Sequence, residues 1–120
     1  MEEGHGEPLT LREKQSLFAL LVALLICEAD RMGYAVTFGE AYRSPEEAAR
    51  LAKAGKGIAG SLHTSRLAID LNLFKDGKYL TSTESFRPLG EFWENQHELC
   101  RWGGRFNDGN HFSLSHKGKA

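Results

Sequence analysis

No stretch of this 120-residue chain is apolar for long enough to span a bilayer. The most apolar run, Leu17–Cys27, stops after 11 residues, about half of what a transmembrane helix needs. Arg12 and Lys14 precede it, as basic residues precede the core of a secretory leader. No small-residue cleavage site follows, since the next residues are Glu28, Ala29, Asp30 and Arg31. The run is therefore expected to be a core helix, with no membrane insertion, in a protein made in the cytoplasm without a signal peptide. Charge of one sign is also lacking. The formal net charge is -1 and no basic run is interleaved with aromatics, which argues against a nucleic-acid partner. No acidic excess argues for disorder. Cysteine is scarce: Cys27 and Cys100 are the two, both in segments that read as helix. They are read as buried free thiols, and a disulfide between them stays open. Repeats, low-complexity segments and internal linkers are absent. What remains is the length and composition of one domain with one core. It is expected to span residues 1–120, with 1–9 a flexible N-terminal tail and 116–120 a C-terminal tail.

The pattern that is present alternates helix and strand. Thr10 caps a helix, with Glu13 three residues on completing a capping box, and the helix is expected to reach Met32 and stop at Gly33. Leu17, Leu20, Leu21, Leu24 and Leu25 mark its inward face, widened by Phe18 and Ile26. Residues 34–42 alternate and are rich in strand-forming types. Ser44-Pro45-Glu46-Glu47 starts a second helix, which ends at Gly55, before a glycine-rich loop over Gly55–Gly60. Residues 67–74 are the clearest strand: Leu67, Ile69, Leu71 and Leu73 point one way, and Ala68, Asp70 and Asn72 the other. Asp76-Gly77 marks a hairpin to a short strand at 78–80. A helix is expected over 86–101, closed by Gly103-Gly104, then a turn at Asn107–Asn110 and a strand over 111–115. The fold class is α+β: a small antiparallel sheet with helices packed on one face.

Two of these strands carry a metal-competent side chain on the polar face. Asp70 sits mid-strand and His111 opens the last strand. A lone carboxylate on such a face is costly unless something pairs with it. His63 lies seven residues before Asp70, an odd spacing that lets the two meet only if the chain bends at Thr64-Ser65-Arg66. Two imidazoles and one carboxylate suit Zn²⁺ with a fourth position open for water, the arrangement of a catalytic site. Water on such a metal needs a base, and Asp108, in the turn before His111, is placed for it. Arg43, after the first strand, is the candidate cation for an oxyanion. Each residue also has an ordinary reading. The histidines can be surface or core residues, Asp70 can pair with Arg66 or Arg43, and Asp108 can be turn chemistry. The residues alone leave both readings open. His97 and Cys100 have a metal-binding spacing but no second pair. His116 should face away from His111, and His5 falls in the tail.

Ser61-Leu62-His63-Thr64-Ser65-Arg66-Leu67-Ala68-Ile69-Asp70 resembles the Ser-x-His-x-x-x-x-Ala-x-Asp signature of the zinc D-alanyl-D-alanine carboxypeptidase and L-alanyl-D-glutamate endopeptidase family (peptidase family M15, VanY-like). Asp108-Gly109-Asn110-His111 resembles its second half. Trp102-Gly103-Gly104 is similar to a run in phage and prophage members, and Tyr42-Arg43-Ser44 to the segment carrying the family's arginine. The resemblance spans residues 10–115. It implies His63, Asp70 and His111 as zinc ligands, Asp108 as general base and then acid, Arg43 polarising the scissile carbonyl, and Ser61 in support near metal or substrate. It implies the fold shared with the Hedgehog signalling domain. Where members often carry Gln, this chain has Glu46-Glu47-Ala48-Ala49, and a common Gly is replaced within Ser65-Arg66-Leu67. These departures bear on substrate contacts more than on metal binding.

Because the base is Asp, the resemblance points to a phage or prophage endolysin. Such an enzyme would be a zinc-dependent monomer that cuts the L-Ala–D-Glu bond of the peptidoglycan stem peptide. It would act on the cell wall in the periplasm after release from the host cytoplasm. A D,D-carboxypeptidase or dipeptidase acting on D-Ala-D-Ala is the alternative within the family. A non-catalytic zinc or cell-wall binding module is the alternative outside catalysis.

Overall fold

The computed structural model describes residues 8–56 and 61–120, so His5, most of the N-terminal tail and the 57–60 part of the glycine-rich loop lie outside it. Helix α1 spans Leu11–Arg31, with Thr10 and Glu13 forming the expected reciprocal capping box. Its buried residues are Phe18, Leu21, Val22, Leu25 and Ala29. Leu20 and Leu24, expected inside, are 59% and 47% exposed, and Cys27 is exposed as well. A helix resting on one layer buries a single stripe, and these three positions fall on the far side of it. Cys100 is buried and both thiols are free. Burial pushes the Cys100 thiol up to about 12, which keeps it protonated and inert. Among the described residues, no helix is long and apolar enough to cross a membrane.

Strand β1 is shorter than expected, Ala35–Phe38; past it the Gly39 N–H still donates to the Asp70 carbonyl and the Asp70 N–H to the Glu40 carbonyl, but out of the regular register. Helix α2 spans Pro45–Lys53 behind the Ser44 cap, and Gly55 takes the left-handed conformation that ends it. Strand β2 covers Ala68–Lys75, with Leu67, Ile69, Leu71 and Leu73 buried as the alternation requires. Asp76 and Gly77 both have positive φ, the geometry of a tight hairpin, and lead into β3, Lys78–Leu80. Helix α3 is Thr83–Gln96, capped by Ser82, and ends earlier than the expected 101. Cys100–Trp102 instead forms strand β4, which pairs with β5, His111–Leu114. Three residues are too few for period-two alternation to announce itself against a preceding helical pattern.

The strands form one antiparallel sheet in the order β1-β2-β5-β4, with β3 also pairing β2. Helices α1 and α3 pack on one face over a core of Phe18, Trp93, Phe112, Phe86 and the leucines of β2. The rings of Phe18 and Phe112 both meet Trp93 edge-on, at 5.7 and 6.0 Å. This is the α+β layering read from the sequence, and it leaves the opposite face of β2 and β5 to the polar residues.

Candidate metal centre

The β2–β5 pairing sets Asp70 directly opposite His111. In an antiparallel pair, opposed residues share a face, and Asp70 Oδ1 lies 3.2 Å from His111 Nδ1. His63 arrives from a 3₁₀ turn, Leu62–Ser65, closed by Arg66 in the left-handed conformation. That turn supplies the bend demanded by the odd spacing, and brings His63 Nε2 within 3.5 Å of the same Oδ1. The three donor atoms all lie within 4.8 Å of one another. Two donors bound to tetrahedral zinc at ~2.0–2.1 Å stand about 3.3 Å apart, so the two contacts to Asp70 have the spacing of a shared ion. The residues fit a zinc site by donor type and by distance.

The surroundings orient these donors. His63 is 3% exposed, and its Nδ1 donates to the Ala41 carbonyl at 2.9 Å, which leaves Nε2 as the free lone pair facing Asp70. Ser61 caps the 3₁₀ turn, its hydroxyl accepting from the His63 backbone N–H at 3.2 Å. Its observed contact is thus support for the histidine. Burial alone would raise the Asp70 carboxyl, but the bonds from His111 and His63 outweigh it and lower the group from 3.8 to about 2. Burial opposes charge on His63, and the Asp70 bond overcomes that and raises its value above the ordinary 6.5. The Arg66 guanidinium lies over the Tyr42 ring, 4.0 Å from the centroid, and the carboxylate of Asp70 is met by the two histidines.

Asp108 and Arg43 line the same cleft as the three donors, a space of about 260 Å³. Asp108 is exposed, and its backbone N–H donates to the Gly103 carbonyl while its own carbonyl accepts from the His111 N–H. The Trp-Gly-Gly run explains that turn's position. A Cβ on Gly103 would stand 2.2 Å from the Asp108 carbonyl oxygen, and one on Gly104 would meet the Trp102 ring at 2.3 Å. Trp102 itself is wholly buried and donates to the Gly109 carbonyl.

Arg43 is held by two bonds to the Glu40 carboxylate, and its backbone N–H reaches the His63 carbonyl at 3.1 Å. That ion pair lowers Glu40 and raises Arg43. Glu40 and the Ala41 carbonyl went unread in the sequence. Their only signal was adjacency to Arg43, and the loop conformation after β1 decides their roles. Lys119 and Ala120 also line the cleft, and His116 and Lys119 bridge each other just beyond β5. His116 meets Lys14 away from the donors, and His97 Nδ1 accepts from the Leu99 N–H.

A family model described as D-alanyl-D-alanine carboxypeptidase matches residues 54–114, half of the chain and every one of the three donors. The chain belongs to this M15 peptidase family. Two solved structures share the fold of this M15 peptidase. The L-Ala D-Glu endopeptidase ChiX of Serratia marcescens has a TM-score of 0.70 at 19% identity, over 88% of this chain and 83% of that one. A mutant of the vancomycin resistance D,D-pentapeptidase VanY from the VanB-type resistance cassette, in complex with Zn(II), has a TM-score of 0.51 at 20% identity, over 95% of this chain and 76% of that one. No curated protein matches.

Proposed function

We propose that this M15 peptidase is a zinc-dependent peptidoglycan endopeptidase of the endolysin type that hydrolyses the L-Ala–D-Glu bond of the stem peptide. The observation that carries the reading is the convergence of His63, Asp70 and His111 with Asp108 and Arg43 in one cleft. His63, Asp70 and His111 would hold the metal. Zinc so held supplies Lewis acidity, which acidifies water and polarises a carbonyl oxygen. Asp108, exposed and outside the donor set, accepts the proton of the attacking water and returns it to the leaving amine nitrogen. Arg43, immobilised by Glu40, donates to the scissile oxygen as negative charge develops there. The Ala41 carbonyl keeps the His63 imidazole in one tautomer.

The likeness to ChiX supports the L-Ala–D-Glu bond. The family description and the VanY fold favour a second reading, removal of D-Ala from D-Ala-D-Ala. Mass spectrometry of muropeptides digested with the zinc-loaded protein separates the two. Loss of the whole peptide beyond L-Ala is expected, and release of single D-Ala would overturn the preferred bond. Zinc binding without any cleavage would turn the reading into a non-catalytic wall-binding module.

A further inference from the structure

Asp108 stands between two clefts of different character. The one holding the metal donors is lined by charged groups of both signs, Arg43, Lys56 and Lys119 with Asp70 and Asp108. On the other side of Asp108 lies a second cleft of about 200 Å³, between β2, β3, the start of α3 and the 107–110 turn. Among the described residues, Asp108 is the only charged one lining it. Its polar surface comes from Asn72, Tyr79, Thr81, Thr83, Asn107 and Asn110. Carboxamides and hydroxyls both donate and accept, so they match a neutral ligand rich in hydroxyl and amide groups. Tyr79 is 59% exposed and adds an amphipathic ring of the kind that covers the apolar face of a sugar. Asn72 is held in place, donating to the Thr37 hydroxyl at 3.2 Å and accepting from the Tyr79 hydroxyl at 3.5 Å.

The spacing matches the substrate. Asn72 follows Asp70 by two residues on the same face of β2, about 7 Å along the strand. On the acyl side of an L-Ala–D-Glu bond, one alanine and one lactyl linker, each about 3.5 Å extended, separate the reacting carbonyl from the muramyl sugar. On the amine side the substrate continues as the charged D-Glu residue, away from the sugar. The two clefts thus differ in kind, one lined by charged groups of both signs and the other, Asp108 apart, by neutral residues.

We propose that the cleft lined by Asn72, Thr81, Asn107 and Asn110 is a subsite for the N-acetylmuramyl sugar, fixing the direction in which the stem peptide crosses the metal centre. The assignment rests on the L-Ala–D-Glu reading above. The test compares two substrates with the zinc-loaded full chain: an N-acetylmuramyl stem peptide, and the same peptide carrying an N-acetyl group in place of the sugar. The sugar-bearing substrate is expected to have a kcat/KM about tenfold or more higher, expressed in KM, and the double variant Asn72→Ala, Thr81→Ala should bring the ratio toward one. Equal kcat/KM for both substrates in the wild type overturns the subsite and leaves the proposed function standing. Cleavage of neither substrate overturns both.

Discussion

Asp70 and His111, 41 residues apart in sequence, face each other across the β2–β5 ladder with 3.2 Å between carboxylate and imidazole. This ladder pair forms the base of the donor set, and His63 completes it from the neighbouring turn. Replacing Asp70 by Asn or His111 by Ala should lower zinc affinity more than the ~10–100-fold typical of losing a supporting hydrogen bond to a ligand. Metal analysis after dialysis should fall from about one zinc per chain in the wild type to near none.

Asp108 lies outside the donor set, so its loss should separate chemistry from metal binding. Asp108→Asn should lower kcat by ~10²–10⁴ with zinc content unchanged, because general-base catalysis contributes about that much. Its side chain is exposed, so urea unfolding should shift little. Full activity in a zinc-replete Asp108→Asn protein would remove it from the mechanism.

Arg43 and Glu40 act as one unit in the structure. Arg43→Ala should cost ~10²–10³ in kcat, the usual effect of removing an oxyanion donor. Glu40→Gln keeps the shape but weakens the two-pronged hold on the guanidinium, and should give a smaller loss, about tenfold. Equal losses in the two variants would show that Glu40 touches the substrate itself.

The metal-free protein should respond to pH in two opposite ways. Asp70 titrates at about 2 in the fold and 3.8 outside it, so its stabilisation is present above the unfolded value and lost as pH falls toward the folded one. That loss amounts to about 2 kcal/mol. His63 is raised above 6.5, so its contribution is present below that value and lost as pH rises through the folded value. Urea unfolding of the metal-free protein should therefore show greatest stability between the two. Zinc needs the neutral imidazole, so its affinity should weaken as pH falls through the raised His63 value, which competition titrations with a chelating dye would measure.

Packing behind the site gives a test independent of chemistry. A Cβ on Gly90 of α3 would stand 2.1 Å from the buried Trp102 ring. Gly90→Ala improves helix propensity, yet should destabilise by ~1–3 kcal/mol because the indole has nowhere to move. Increased stability in urea would show that the Trp102 ring repacks freely.

Local chemistry alone determined much of this protein. The Thr10–Glu13 capping box, the Ser44-Pro45 start and the Asp76-Gly77 hairpin are set by neighbours a few residues apart, and the Leu67–Leu73 alternation by the pleat of a single strand. Such features are legible because their energies depend on local backbone geometry. The donor residues were legible as types and spacings, and the resemblance implied their meeting, but not the contacts that bring it about. That meeting needs the β2–β5 register and the left-handed turn at Arg66.

Tertiary structure also decided which side of α1 is inside, turned Cys100–Trp102 from helix into strand, and tied Glu40 to Arg43 and Ala41 to His63. Each of these depends on a partner distant in sequence or on a loop shape outside regular structure. Contact across such distances is paid for by the packing of the whole core, and no short window of residues contains that term.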